Sequence, residues 1–392
     1  MKIALLSEKY TPDIGGLAIS TGRLGESLAT IGHDVRVFAP SPSASLRADF
    51  SLPAANKQTL RSGKVLVTRF GAHKRMDDTL VDWFELIVEE HKREPFDLIH
   101  AYFLPMAGFV GAYAGKYLNI PSVVSIRGND IERAAFDPLK FSHVMYALQN
   151  AGAVTTNASE LAKKAKAFIN REIHLIPNGI DTDRFTPLER NEVLAEMIGL
   201  ESEKAKKERS TVVGFVGELR EKKGLTTLLL GYAQVNKIRP TTLFIVGEIR
   251  PGDDRAVFDE FRSEHPNSKI IVTGPIPHND LPAYYSLMDV FVHPSLRDGM
   301  PNALLEAMAC EIPVIVTPVG GVLDVLEDGK NGLLVNVKDE NSLAEKILGL
   351  LDNNEKRRAL GKSARESILN RFTLQKELEA NLNVYRTIGL KV

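Results

Sequence analysis

Two carboxylates stand eight positions apart in Ser295-Leu-Arg-Asp298-Gly-Met-Pro-Asn-Ala-Leu-Leu-Glu306-Ala-Met-Ala-Cys310. Asp298 falls in a Gly/Pro-containing turn and Glu306 in an apolar helical run. Pro301 suits the first helical position, where its missing N–H loses nothing. Gly299 lets a ligand approach the backbone closely. Such a turn presents N–H groups at a helix N-terminus, which is the chemistry of binding a phosphate or a sugar oxygen. Glu306, little more than one turn into the helix and flanked by Leu305, Ala307 and Met308, needs a hydrogen-bonding partner. A ribose diol would supply one. Any two carboxylates can fall at this spacing, so the Gly299-Met300-Pro301-Asn302 context carries the reading.

Three other constellations could carry chemistry. Gly15-Gly16 lies between a first strand and a first helix, where backbone N–H groups can cradle a phosphate; a plain turn explains it as well. The pattern Gly-x-Gly-x-x-Gly of dinucleotide sites is missing. Gly217-Glu218-Leu219-Arg220-Glu221-Lys222-Lys223-Gly224 offers a forked guanidinium and a point charge for a diphosphate. An exposed charged loop is the competing explanation, and the loop is not a Walker sequence. Asp181-Thr182-Asp183 has the form of a divalent-metal motif, but loop and capping roles account for it better. At the strand ends of the N-terminal half, His100 and the run Arg127-Gly128-Asn129-Asp130 are further candidates; a lone histidine is most often structural.

Alternating strands and helices must position these residues. β-rich runs occur at Lys2–Leu6, Asp34–Phe38, Lys64–Phe70, Asp97–Ala101, Pro121–Ile126 and Ala153–Thr156, with helical patterns such as Ser20–Ile31 and Leu80–Lys92 between them. A second series runs through Thr211–Val216, Thr242–Val246, Lys269–Thr273, Val290–His293 and Pro313–Thr317, with helices at Leu225–Val235, Asn302–Ala309 and Ser342–Leu351. The alternation predicts two α/β domains, each with a mainly parallel, doubly wound sheet. The turn Ile176-Pro-Asn-Gly179 marks the boundary, and a polar, helical-looking segment over Glu189–Arg209 follows. Open parallel sheets bind ligands beyond the carboxyl ends of their strands.

Composition bounds the function. The chain has 392 residues, enough for two cores. Lys and Arg number 49 against 50 Asp and Glu, a net charge of -1 that does not suggest a nucleic-acid binder. The single cysteine, Cys310, excludes an intrachain disulfide and cysteine-rich zinc sites, and fits a reducing, cytoplasmic compartment. The mildly apolar stretch Tyr102–Gly115 is shorter than the ~20 residues of a membrane helix and reads as a buried helix. Neither a signal peptide nor a transmembrane segment is expected; peripheral membrane contact stays open.

Taken together, these residues resemble the retaining glycosyltransferases of family 4, the glycosyl transferases group 1. The resemblance rests on Ser295…Asp298-Gly-Met-Pro-Asn…Glu306-Ala-Met-Ala, and on Tyr10-x-Pro12…Gly15-Gly16, Pro177-Asn-Gly-Ile-Asp181, Arg220-x-x-Lys223-Gly224 and Gly320-Gly321…Gly329…Gly332-Leu-Leu-Val335. It implies the GT-B fold: two Rossmann-like domains, residues 1–180 completed by a C-terminal helix (374–392) and residues 181–373, facing an interdomain cleft. It also implies transfer of a hexosyl group from a nucleotide-diphosphate sugar to an acceptor hydroxyl. Uridine is the default base by family frequency.

By that resemblance Glu306 binds the donor ribose and Asp298 the sugar hydroxyls, with the backbone of Gly299, Met300, Pro301 and Asn302 beside them. Arg220 and Lys223 neutralise the leaving diphosphate, with Gly16 nearby on the donor. Arg127 stands where the family commonly has a histidine at the donor sugar. Gly15, His100, Asn129 and Asp130 lie on the acceptor side. Neither a cofactor nor a metal is called for. Asp298 stands where glutamate is usual, Glu218 where many members carry arginine, and Glu311 where glycine is frequent. A GT-B epimerase or phosphorylase, or a non-catalytic sugar-nucleotide binder, is the alternative.

Overall fold

The run Ile3-Ala4-Leu5-Leu6 is fully buried, its alternate residues entering two different apolar clusters. A strand apolar on both faces belongs in the middle of a parallel sheet with helices on each side. The computed structural model, which describes residues 1–11, 13, 15–41, 57–71, 75–200 and 211–392, contains two such sheets. The chain divides into two units, Met1–Asn178 with Leu374–Val392, and Gly179–Thr373.

Among the described residues, the first unit has strands β1 (Lys2–Ser7), β2 (Asp34–Pro40), β3 (Lys57–Ser62), β4 (Val65–Phe70), β5 (Leu98–Tyr102), β6 (Ser122–Ile126), β7 (Ala153–Thr156) and β8 (His174–Leu175). They lie in the order β3-β4-β2-β1-β5-β6-β7-β8. All neighbours are parallel except β3 and β4, which form a hairpin at the edge. The order reverses between β1 and β5, so the ligand crevice of this sheet lies beyond their carboxyl ends.

The C-terminal helix Leu374–Thr387 completes this unit. Arg23 meets Glu377 through two bonds, Nε to Oε2 at 2.5 Å and Nη2 to Oε1 at 3.0 Å. Tyr385, buried, bonds His100 Nδ1 at 2.8 Å.

The second unit has β9 (Thr211–Val216), β10 (Thr241–Val246), β11 (Lys269–Val272), β12 (Val290–His293), β13 (Val314–Val316) and β14 (Leu333–Leu334), in the order β11-β10-β9-β12-β13-β14. All are parallel, and here the order reverses between β9 and β12. The helices Leu225–Ile238 and Glu340–Leu351 bury one face of the sheet, and Asn302–Ala309 with Asn354–Arg371 bury the other.

Several expectations need correction. The first helix starts at Gly16, not Ser20. The stretch Tyr102–Gly115 is not one helix: Tyr102 ends β5, a π-helical turn covers Leu104–Gly108, and an α-helix follows over Phe109–Leu118. Within Glu189–Arg209 the helix is short, Glu192–Met197, and the charge run Glu201–Arg209 lies outside the described residues. None of the described helices is long and apolar enough to cross a membrane.

Candidate active site

In the second unit, the loops after β9 and β12 adjoin because those strands are neighbours. Gly224, at φ +80°, ends the turn Glu221–Lys223 and starts the helix Leu225–Ile238; a Cβ there would lie 2.0 Å from Pro294 O. Only glycine lets the two loops press together this closely. Leu296 N–H bonds Lys222 O at 3.0 Å and ties them. Arg220, Lys223 and the Asp298–Asn302 turn are thereby gathered at the reversal point of the sheet.

The side chains here interlock. Lys223 Nζ contacts Asp298 Oδ2, and His293 Nε2 lies 3.1 Å from the same oxygen. Gly299 N–H bonds Asp298 Oδ1 at 3.0 Å. Burial pushes the Asp298 carboxyl up, but the charge of Lys223 and the bonds from His293 and Lys223 outweigh it and hold the group well below the usual carboxylate range. His293 is stacked between Phe215 and Phe291. Burial lowers its pKa, so the ring is neutral and donates from Nε2. Gly320, at φ +60°, closes the turn from the β13 side: a Cβ would fall 2.1 Å from Asp298 O.

Arg220 faces Glu218, Nη1 to Oε2 at 3.2 Å, and its Nε is buried without a hydrogen-bond partner. Half of its fork is therefore uncommitted. Met300 and Pro301 are both buried. Pro301 is not the first helical residue but the N-cap, with extended backbone (φ −74°, ψ 113°); its carbonyl accepts from Leu304 N–H at 3.2 Å. Asn302 therefore opens the helix.

Glu306 is only 3% exposed. It does not await a partner, contrary to the reading from sequence. His278 Nε2 lies 2.9 Å from Oε1, and the hydroxyl of Tyr285 donates to Oε2 at 2.9 Å. These partners come from 28 and 21 positions upstream, so no local pattern announces them.

In the first unit, Gly15 is the N-cap of the helix Gly16–Thr30, at φ +132°, and Gly16 is exposed. Arg127 lies 4.0 Å over the Tyr102 ring, bonds Asn178 Oδ1 at 3.1 Å, and keeps a buried Nε without a partner. Asn129 is exposed. Two acceptor-side candidates are withdrawn. His100 is fully buried in mid-strand, and both ring nitrogens are spent, on Tyr385 OH and on Ser125 Oγ, each at 2.8 Å. Burial depresses it to about 3, so it is a neutral core group. Asp130 is likewise fully buried; its carboxylate receives N–H bonds from Arg127, Gly128 and Ile131 and shapes the loop.

The sequence reading passed over Glu8, which follows β1 at the reversal point of this sheet. Its Oε1 accepts from Met106 N–H at 3.0 Å, in the π-helical turn after β5. Burial, against the bonds from Met106, raises its carboxyl to about 7. Phe103, just before that turn, holds a positive φ of 81°. Such strain in a bulky residue is characteristic of functional sites. The signal available in sequence was an acid directly beyond a buried first strand.

Asp181 is occupied locally: Oδ1 accepts from Arg184 N–H at 3.1 Å. Pro12 lies outside the described residues.

A family model described as Glycosyltransferase Family 4 matches residues 14–184, and one described as Glycosyl transferases group 1 matches residues 200–367. The chain is similar to the N-acetyl-alpha-D-glucosaminyl L-malate synthase of Bacillus anthracis, with 23% identity over 95% of this chain and 94% of the relative. It is 26% identical to a GDP-mannose-dependent alpha-mannosyltransferase of Mycobacterium tuberculosis, over 95% and 93% of the two chains. The crystal structure of Anabaena HepE in complex with UDP matches with a TM-score of 0.80 at 20% identity, over 99% of this chain and 100% of that one. That likeness concerns the fold.

Proposed function

The chain belongs to the family 4 and group 1 glycosyltransferases, GT-B enzymes that use nucleotide sugars, and from that premise we propose that it transfers a hexosyl group from a UDP-sugar to an acceptor hydroxyl, with retention and without a metal. The observation that carries the reading is the convergence of Arg220, Lys223, Asp298 and the N-terminus of the helix Asn302–Ala309 at the reversal between β9 and β12.

The reaction breaks the bond between the anomeric carbon and the diphosphate oxygen, and forms a bond from that carbon to the acceptor oxygen. Negative charge grows on the diphosphate. Lys223 and the uncommitted side of Arg220 supply fixed positive charge for it, which stabilises the transition state more than the ground state. Asp298 keeps Lys223 in place and presents its remaining lone pairs to sugar hydroxyls. Glu306 accepts from the ribose. No side chain of this group is placed as a covalent nucleophile, so a front-face course is proposed, in which a diphosphate oxygen takes the acceptor proton. The reading puts the enzyme in the cytoplasm, where its lone thiol, Cys310, stays reduced.

Two relatives set the choice of donor base: HepE was solved with UDP, and the mycobacterial mannosyltransferase is named for GDP-mannose. A thermal-shift panel of UDP-, GDP- and ADP-sugars discriminates, since a ligand that binds only the native state raises its apparent stability. Proton NMR of the product then reads the anomeric configuration. Stabilisation by UDP-sugars, an α-linked product from an α-linked donor, and activity in EDTA are expected. Inversion, or reversible loss of activity in EDTA, would overturn the corresponding part.

A further inference from the structure

Glu306 is held from two directions by residues outside its own helix. His278 belongs to the turn His278–Asp280 and Tyr285 to the helix Leu281–Tyr285, both following β11. Each carboxylate oxygen has one of these as a partner, both at 2.9 Å. The two donors are themselves held. Tyr285 is fully buried, with its ring near Phe185 and Phe291 and its hydroxyl 3.2 Å from Ala303 O. The His278 ring lies 5.2 Å from that of Phe185, and its side chain is 32% exposed.

A carboxylate offers about four lone-pair sites. Two are used here, one on each oxygen, which fixes the plane of the group and leaves one site per oxygen. A vicinal diol has two hydroxyl donors at matching separation. A carboxylate whose rotation is already restrained loses little further freedom when such a ligand binds.

We propose that His278 and Tyr285 are positioning residues that clamp the Glu306 carboxylate so that its two remaining lone pairs meet the two ribose hydroxyls of the donor nucleotide. The proposal rests on the reading of Glu306 as the ribose ligand. It adds two residues, from a different part of the chain, through which recognition of the ribose is set. They act on Glu306 and not on the reacting atoms, so donor affinity changes with them and turnover at saturation does not.

The test is calorimetric titration with UDP and with 2′,3′-dideoxy-UDP, applied to the wild type, E306Q, Y285F, H278A and H278Q, with far-UV circular dichroism on each. The wild type is expected to prefer UDP over the dideoxy compound, and E306Q to lose that preference. H278A and Y285F should each weaken UDP by about tenfold, the size of one well-formed hydrogen bond to a charge, and leave the dideoxy compound within about twofold. H278Q, which can still donate an N–H, should recover part of the loss. The donor KM should rise in H278A with kcat unchanged.

If E306Q keeps the ribose preference, the reading of Glu306 fails and the clamp fails with it. If E306Q loses the preference but H278A and Y285F bind UDP normally, the clamp alone is overturned. Equal weakening of both nucleotides would assign the pair a structural role. Tighter UDP binding by H278A would mean that His278 occupies the ribose seat; either result overturns the proposal. His278 is partly exposed, so H278A decides the matter even if Y285F does not fold.

Discussion

Lys223 Nζ rests on Asp298 Oδ2, so a cation from the loop after β9 and a carboxylate from the turn after β12 form one ion pair at the reversal point of the second sheet. Their side chains are 22% and 17% exposed, and the carboxylate is further bonded by His293 Nε2 and Gly299 N–H. The pair acts as one unit: removing either member leaves the other a poorly solvated charge at the end of the sheet.

The first prediction concerns that pair. D298N leaves Lys223 without its counter-charge and should destabilise the protein by about 3 kcal/mol at pH 7, the low end for a broken, mostly buried ion pair. The folded pKa of Asp298 lies below its unfolded value, so its contribution is complete above pH ~4 and is lost as pH falls through the folded value. Urea unfolding of both proteins should therefore show a constant gap from pH 8 to 5 that narrows below pH ~4. A gap unchanged down to pH 3 would remove the electrostatic account.

Glu8 has the opposite sign. Its folded carboxyl is raised to about 7 by burial, from an ordinary value of 4.5. The folded state thus holds a proton that the unfolded state gives up first, and stability falls as pH rises from about 4.5 to about 7. E8Q keeps an oxygen for Met106 N–H and carries no charge. It should equal the wild type near pH 4 and exceed it increasingly up to pH 8, by on the order of 2–3 kcal/mol. Parallel stability curves for the two proteins across that range would refute the assignment.

What the sequence discloses depends on how local the cause is. Strands such as Val290–His293 and Ala153–Thr156 appear at the positions read from sequence because they are short, fully buried and rich in β-branched and aromatic residues. The β3 strand, Lys-Gln-Thr-Leu-Arg-Ser, escapes a reading from sequence because it is an exposed, polar edge strand whose one strand neighbour among the described residues is β4. In the site, Asp298 and Glu306 were legible because turn and helix are consecutive. His278 and Tyr285 were not: they lie 28 and 21 positions from Glu306 and reach it only through tertiary packing, which leaves no local mark. His100 misled for the same reason. A polar residue in β5 looks accessible in sequence, but β5 lies between β1 and β6 and is buried throughout.

The C-terminal helix supplies a third prediction. The Arg23 and Glu377 side chains are 10% and 3% exposed, and their contact is bidentate. E377A would leave Arg23 charged, buried and deprived of its fork partner. A loss of about 3 kcal/mol is expected, together with faster amide exchange over residues 374–387. The double variant R23M/E377L, which replaces both charges by apolar groups, should recover most of that loss. If E377A alone leaves both stability and exchange unaltered, the helix is held by its apolar face and not by this pair.

The last prediction follows from Glu311. The helix Asn302–Ala309 that carries Glu306 ends with Cys310 as its C-cap, and Glu311 follows with φ +59°. Ile312 N–H bonds Ala307 O at 3.0 Å and Glu311 N–H bonds Met308 O at 3.1 Å, the paired bonds of a Schellman motif. That motif needs a left-handed residue at Glu311, a conformation that crowds the Cβ of any L-residue. The backbone here cannot relax away from it: Gly361, from the helix Asn354–Arg371, packs so closely that a Cβ on it would lie 2.0 Å from Glu311 O. Glutamate is thus strained at this position. E311G should raise stability by about 1 kcal/mol, the relief of left-handed strain less the added freedom of glycine in the unfolded chain. G361A should do the reverse, because the two helices would have to part. Thermal unfolding of both variants checks the pair. A melting temperature that falls in E311G would show that the glutamate side chain makes up for its backbone.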